Sequence, residues 1–211
     1  MTLNRAQFEA QSQLMAKALS ISMSSVSDVA STHPVRPSPI SETPLPKALA
    51  NRTDAVEKIQ QALETFGACW ISGAAGMGKT VAARILAHRN GGDWANVNLR
   101  GKSPEQIAQI LIQSSDSMKG FGLHGLIIDD LGYTTDPSVL DSLSYLFFSA
   151  QRSDVLLIIN SSDRPSVEFL FACDLPAGVA LTLSEFSEED IQEILEQCGV
   201  KDIHCVPDQR P

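Results

Sequence analysis

The sequence lacks the features of a membrane or secreted protein. No apolar run approaches the roughly 20 residues that a helix needs to cross a bilayer. Gln and Ser residues interrupt the apolar stretch that follows Arg5, which is unlike a signal peptide. We therefore expect a cytoplasmic protein without a membrane partner.

Positive charge is scarce as well. Sixteen Lys and Arg residues stand against 25 Asp and Glu residues, which gives a formal net charge of −9. This balance argues against the broad basic surface that a general nucleic-acid binder needs, although a local patch stays compatible with it. Nucleic acid is therefore not a favoured partner.

Cysteine is sparse and shows no C-x-x-C pair. The four cysteines are Cys69, Cys173, Cys198 and Cys205. We expect reduced, structural thiols, as is usual in cytosolic proteins. Cys198, His204 and Cys205 lie close together, but no second ligand pair stands at a recognised spacing, so we do not expect a metal site there.

The 211 residues fit one ordinary domain with additional sequence. Residues 1–21 predict an amphipathic helix, whose polar face is not cationic; we expect it to contact the domain or a protein partner. Serine and proline crowd residues 22–48, which favours a flexible linker. Residues 49–198 form the expected core, and residues 199–211 are expected to be a tail or the start of a helical lid that the sequence does not complete.

Short apolar runs alternate with helical patterns throughout this core. Strands are expected at Ala68–Ser72, Trp94–Leu99, Leu126–Ile128, Val155–Ile159 and Val179–Leu183. Helices are expected after a cap at Thr53 or Asp54, near Gly78, from Ser103, over Pro137–Ala150 and after Ser187. Strands separated by helices imply a parallel sheet with right-handed crossovers, and fully apolar strands imply cover on both faces. The sequence predicts a three-layer α/β/α domain.

A phosphate-binding loop stands between the first predicted strand and its helix. Gly73-Ala74-Ala75-Gly76-Met77-Gly78-Lys79-Thr80 matches the pattern G-x-x-x-x-G-K-[ST] at every position. Glycines let several backbone amides converge on a phosphate, and the following helix directs its positive end at the same charge. Lys79 adds a cation for the β- and γ-phosphates, and Thr80 offers a hydroxyl to Mg²⁺. The expected nucleotide-binding segment continues to Val81.

The alternative is a glycine-rich turn that matches the pattern by chance. Ordinary residue usage gives such a match in on the order of 1% of chains of this length. Here the match also stands at a strand-to-helix junction, which is the context that the motif requires. Chance is therefore a poor explanation.

Two carboxylates, Asp129 and Asp130, follow the apolar strand Leu126–Ile128. Because ligands gather at the carboxyl ends of parallel strands, Asp129 is expected beside the phosphate loop, where it would hold Mg²⁺ through water. Asp130 is expected to orient or activate the attacking water. The alternative for Asp130 is that it only begins the loop.

The next strand is followed by Asn160-Ser161-Ser162-Asp163-Arg164. A polar side chain at this point can contact the γ-phosphate or its water. We select Asn160 as a second catalytic candidate and Arg164 as a weaker one for sensing phosphate. A polar loop that merely leaves the strand explains these residues about as well.

These motifs resemble the AAA+-like signalling ATPases called STAND NTPases, which include the NB-ARC and NACHT modules. The resemblance spans about Leu49 to Cys198. It rests on Ile71–Thr80 as a Walker A segment, on Ile127–Leu131 as a Walker B segment, and on Leu181–Asp190 as the passage into a helical lid. Arg52 falls where the family often places an arginine near the adenine.

The resemblance implies a sheet order of 5-1-4-3-2, ATP/ADP exchange, slow hydrolysis and nucleotide-dependent assembly. The preference for ATP over GTP rests on it alone, since no N-K-x-D string is present. One departure is that Asp163 precedes Arg164, where the family often places arginine directly after two Ser or Thr residues.

Three functions remain open from the sequence. The first is a nucleotide-gated signalling switch with slow ATP hydrolysis. The second is a DNA-associated AAA+ helper ATPase, since Leu126–Tyr133 is also similar to helicase loaders and transposition helpers. The third is a module that binds a nucleotide without hydrolysing it and recruits a partner through its N-terminal helix.

Overall fold

The computed structural model describes residues 38–40 and 52–199. The chain divides into two units, Met1–Val35 and Arg36–Pro211, and every described residue belongs to the second. The predicted N-terminal helix, most of the predicted linker and the predicted tail beyond Gly199 lie outside the described residues.

Six strands form one sheet in the described part of the chain. They are β1 (Ser38–Pro39), β2 (Ala68–Ser72), β3 (Trp94–Asn98), β4 (Gly125–Leu131), β5 (Leu156–Ser161) and β6 (Ala180–Thr182). Their order is β1-β3-β4-β5-β2-β6. The five strands from β2 onward are parallel, and β1 pairs antiparallel with β3 at one edge. Numbered without β1, this is the predicted order 5-1-4-3-2, which is confirmed.

Within the described residues, six α-helices connect or follow the strands. They are α1 (Thr53–Phe66), α2 (Lys79–Asn90), α3 (Pro104–Phe121), α4 (Pro137–Ser153), α5 (Val167–Ala172) and α6 (Glu188–Gln197). A short 3₁₀ turn, Ala177–Val179, precedes β6. Two helices begin at the residues that the sequence predicts. Ser103 and Ser187 are their N-caps, and each side chain accepts a hydrogen bond from the third helical amide in a capping box.

Neighbouring strand residues face opposite sides of the sheet, and each side has its own core. Trp70, Ile128 and Ile159 belong to the cluster that also contains residues of α3, α4 and α5. Ile71, Ile127 and Ile158 belong to the cluster of α1 and α2. Because both faces are covered, the strands are continuously apolar, and the three-layer α/β/α prediction is confirmed.

Several predicted boundaries need correction. Neither Thr53 nor Asp54 caps α1; its N-cap is Arg52, in a left-handed conformation and without a side-chain cap. The strand predicted at Leu126–Ile128 extends to Leu131, because it continues to pair with β5 beyond the two aspartates. β5 likewise includes Asn160 and Ser161. The sequence pattern does not indicate helix α5, because its six residues are too few to show a helical period.

The predicted linker also needs a correction at its described residues. Ser38 and Pro39 pair with Asn96 and Ala95 of β3, and the Ile40 side chain is buried in the core of α1 and α2. Proline is tolerated in β1 because this strand lies at the edge of the sheet, where an amide can be spared. At these three residues the linker prediction is wrong.

Candidate functional site

The phosphate loop lies between β2 and α2, at the carboxyl edge of the sheet. Gly73 and Gly78 both have positive φ, 148° and 77°, and both stand against other backbone or ring atoms. A β-carbon at Gly73 would lie 3.1 Å from the Leu183 carbonyl oxygen, and one at Gly78 would lie 3.2 Å from the Phe186 ring. These two positions therefore favour glycine for steric reasons as well as for their dihedral angles.

Helix α2 begins at Lys79, directly behind the loop. Its N-cap is Gly78, which supplies no side-chain bond, so the first amides of the helix are left to a ligand or to solvent. The Lys79 ammonium donates to the carbonyl oxygens of Gly73 at 2.6 Å and Ala74 at 2.9 Å. A cation and a helix N-terminus therefore converge on one loop, which is the composition of an anion site.

One carboxylate joins three elements beside this loop. The Thr80 hydroxyl of α2 donates to Asp129 Oδ1 at 2.8 Å and to Oδ2 at 3.1 Å. Asn160 of β5 donates its amide to Asp129 Oδ1 at 3.0 Å. Asp129 is 7% exposed and Asn160 is fully buried. The Asn160 side-chain oxygen is also buried and finds no donor within the described residues.

Asp130 lies apart from this group. It has a φ of 61° at the irregularity where β4 changes register against β5, and its carboxylate accepts a hydrogen bond from Arg100 Nε. Arg100 follows β3, whose end is joined to β4 by the bond from the Leu99 amide to the Asp129 carbonyl at 2.9 Å. The hydrogen bond with Asp130 is the main cause that raises the pKa of Arg100.

Arg52 is the predicted site residue with the most extensive contacts. Its side chain is buried and donates to the carbonyl oxygens of Met77 in the phosphate loop and of Ser184, the latter at 2.9 Å. Its guanidinium lies 4.7 Å from the centre of the Phe186 ring, and its Nε lies 3.9 Å from an Asp190 carboxylate oxygen. The structure therefore connects Arg52 to the loop and to the segment before α6.

The other predicted residues take simpler positions. Met77 and Val81 pack partly against the core of α1 and α2, and Ala74, Ala75 and Gly76 continue the exposed part of the loop. Arg164 is exposed and donates to the Ala180 carbonyl of β6 at 3.3 Å, so it is not bonded to the Asp129 group.

No motif in the sequence indicates Arg100, Phe186 or Asp190 as site residues. Phe186 and Asp190 fall in the passage that carries the family resemblance, which was their only signal. Nothing in the sequence pattern pairs Arg100 with Asp130, because that contact depends on the register of β3 against β4.

The donor set fits a nucleotide with its metal ion. Thr80 and Asp129 present a hydroxyl and a carboxylate at bonding distance of one another, and oxygen ligands of this kind are those that Mg²⁺ takes. The unpartnered Asn160 oxygen adds a buried acceptor beside them. In the described part of the chain no cluster of three or more His, Cys, Asp or Glu residues is placed to hold a metal ion.

The described cysteines differ in burial: Cys69 is buried, Cys173 is partly buried and Cys198 is exposed. Cys69, Cys173 and Cys198 are free thiols, whereas His204 and Cys205 lie outside the described residues. Within residues 52–199, none of the helices combines the length and the apolar character that crossing a membrane requires.

Comparison with known proteins agrees with this geometry. The family model described as Novel STAND NTPase 3 matches residues 51–134, which contain the phosphate loop and both aspartates. No curated protein sequence matches the chain with significance. The resemblance to STAND-type P-loop NTPases is therefore confirmed over less than half of the chain.

Two solved structures share the fold. The structure titled "Structural Basis for Katanin Self-Assembly" has a TM-score of 0.50 at 13% identity. The matched region covers 75% of this chain and 61% of the chain in that structure. AMPPCP-bound DnaA from Aquifex aeolicus has a TM-score of 0.51 at 17% identity, with 73% and 54% covered. The chain thus spans little more than half of the length of these proteins, and the likeness shows the fold alone, a five-stranded parallel sheet covered by helices.

Proposed function

We propose that this chain is the core of a P-loop ATPase that binds ATP with Mg²⁺ and hydrolyses it slowly. The proposal rests on one observation. Thr80, at the end of the phosphate loop, and Asn160 both donate hydrogen bonds to the carboxylate of Asp129. Few arrangements other than a nucleotide site combine these groups with a free helix N-terminus and a lysine directed at the loop.

The residues divide into three roles under this proposal. The amides from Gly73 to Val81 and the Lys79 ammonium bind the phosphates, and Lys79 exchanges its two loop carbonyls for phosphate oxygens. Thr80 and Asp129 would hold the metal, which supplies neutralisation of the charge on the β- and γ-phosphates.

Asp130 and Asn160 act on the attacking water or the γ-phosphate in this account. Asn160 stands on the buried side of the group, and its free oxygen is an acceptor for a water proton. Asp130 must leave Arg100 to act as a base, because its carboxylate is bonded there. This requirement is consistent with slow hydrolysis.

The experiment measures phosphate release by the full chain and by Asp130→Asn, with Asp141→Asn, at an exposed residue of α4, as a control for the lost charge. The account predicts slow release by the wild type, less release by Asp130→Asn and unchanged release by Asp141→Asn. Equal background release from all three, with ATP binding retained, would instead support the binding module that does not hydrolyse.

The finer role that we propose is a signalling switch in which ATP and ADP favour different assemblies. It is supported by the STAND family match and by the likeness to a structure whose title names self-assembly. Only contacts that differ between the two nucleotide states can drive such a change. Sedimentation velocity with ATP and with ADP tests it: identical profiles would contradict the switch.

A DNA-associated helper ATPase is the competing function. The exposed Arg100 lies at the site edge, and its ion pair with Asp130 offsets part of the positive charge that would attract a phosphate backbone. DNA binding that weakens steeply with salt would favour this alternative over the switch. A protein partner for residues 1–21, which the binding module would recruit, also stays a proposal, because these residues lie outside those that the structure describes.

A further inference from the structure

The segment that follows β6 lies directly across the phosphate loop. The Leu183 amide donates to the Ser72 carbonyl at 2.9 Å, and the Leu183 carbonyl closes over Gly73. Three residues later, the Phe186 ring stands against Gly78 at the start of α2. The loop is therefore contacted at both ends by one short stretch of chain.

The Arg52 side chain connects the segment after β6 to the phosphate loop. One guanidinium nitrogen donates to the Met77 carbonyl, and the other donates to Ser184 at 2.9 Å and more weakly to Glu185 at 3.4 Å. A buried cation of this kind depends on its partners, because removing one leaves an uncompensated charge. Only Nε makes no hydrogen bond within the described residues, and the group that faces it is Asp190 at 3.9 Å.

Asp190 belongs to α6 and serves two purposes there. It accepts from the Ser187 amide at 3.0 Å in the capping box, and its side chain is 19% exposed beside an Arg52 side chain that is 7% exposed. None of the residues of α6 is buried, and Ile191 is 46% exposed. Within the described residues, the first turn of α6 is therefore joined to the core by the Asp190–Arg52 pair and presents no buried apolar side chain.

We propose that Asp190 is a positioning residue for the nucleotide site, acting through Arg52 on the Met77 carbonyl of the phosphate loop. The inference rests on the proposed function. The carboxylate fixes the guanidinium, and the guanidinium fixes the backbone whose amides receive the phosphates.

Because coupling between two sites is reciprocal, nucleotide binding in turn strengthens the attachment of α6. The helix is suited to respond, since contacts with so little burial open at low free-energy cost. Nucleotide binding at the site thereby changes how firmly α6 is attached to the core.

The test compares Asp190→Asn with Glu188→Gln in the full chain. Asparagine keeps an oxygen for the Ser187 cap but loses the charge that faces Arg52. Glu188→Gln removes the same charge from the same first turn, at an exposed residue. ATP affinity with Mg²⁺ is measured by calorimetry, and hydrogen exchange of residues 188–197 is measured with and without the nucleotide.

We expect Asp190→Asn to weaken ATP binding by about 2- to 30-fold and to remove the protection that ATP gives to residues 188–197. Glu188→Gln should leave both unchanged, and Asp190→Glu should restore both, which a general loss of structure would not allow. A wild-type chain that binds ATP and an Asp190→Asn variant that binds it equally well would overturn this inference alone. Absence of ATP binding in the wild type would overturn the proposed function with it.

Discussion

The Thr80 hydroxyl donates to the Asp129 carboxylate at 2.8 Å, although the two residues stand 49 positions apart. Thr80 is brought there by the first turn of α2, and Asp129 by the end of β4. Asn160 of the adjacent strand donates to the same carboxylate. One buried acidic side chain therefore organises three elements at the edge of the sheet where the phosphate loop lies.

The first prediction concerns the metal dependence of binding. Asp129→Asn keeps the size of the side chain but removes the negative charge beside Thr80. We expect ATP affinity in the presence of Mg²⁺ to fall by about 10- to 100-fold, as when a group that orients a metal is lost. Calorimetry with Mg²⁺ and with EDTA checks it, and Asp141→Asn is the matched control. If Mg²⁺ raised the ATP affinity of Asp129→Asn as much as that of the wild type, the metal would have to bind at another position.

The second prediction separates binding from hydrolysis at Asn160. Asn160→Ala removes the amide that donates to Asp129 and the buried oxygen that has no described partner. We expect phosphate release to fall by about 10²-fold, with a much smaller loss of ATP affinity. Single-turnover release and equilibrium binding are measured on the same preparation. Equal losses in both would mean that Asn160 acts only as a support for Asp129.

The third prediction concerns the packing at the start of β4. A β-carbon at Gly125 would overlap the ring of the buried Trp94, which also donates to the Gly91 carbonyl at 3.0 Å. We expect Gly125→Ala to lower the free energy of unfolding by about 1–3 kcal/mol. Gly132→Ala is the control, because its β-carbon would meet no atom within 4 Å. Urea unfolding measures the stability of both variants. Equal midpoints for Gly125→Ala and Gly132→Ala would contradict the close packing of Gly125 against Trp94.

The fourth prediction concerns alkaline pH. Burial raises the pKa of the Cys69 thiol from 9.0 to about 12. Because the pKa of Cys69 is higher in the folded state than in the unfolded state, its protonated thiol stabilises the folded state. This contribution to the free energy of unfolding is complete below pH 9 and is lost as pH rises toward 12. The urea midpoint of the wild type should therefore fall more between pH 8 and pH 10 than that of Cys69→Ala. Parallel pH profiles would show that Cys69 does not titrate in this way.

The sequence predicts much of this site because its chemistry is local. Gly73–Thr80 are contiguous, and Asp129 comes directly after the apolar run Leu126–Ile128, so a pattern and a parallel sheet are enough to bring Thr80 and Asp129 together. The strand order came from the family resemblance, and the structure confirms it. In this respect the fold and the centre of the site could be predicted without coordinates.

The surroundings of the site could not be predicted because they depend on distant contacts. Arg52 bonds to Ser184 across 132 positions, from a left-handed residue at the start of α1. Asp130 bonds to Arg100 only because β3 and β4 align with Asn98 opposite Asp129. Neither contact has a periodic or spacing signal, since both follow from tertiary register.

The most direct test of the account is the affinity of the full chain for ATP with Mg²⁺, compared with that of Lys79→Ala. Lys79 is bonded to two loop carbonyls that phosphate oxygens would replace, so its loss should weaken binding by about 10- to 100-fold. Lys58→Ala, on the exposed face of α1, should bind as the wild type does. Calorimetry that finds the same affinity in the wild type and in Lys79→Ala, or finds no binding in either, would contradict the account.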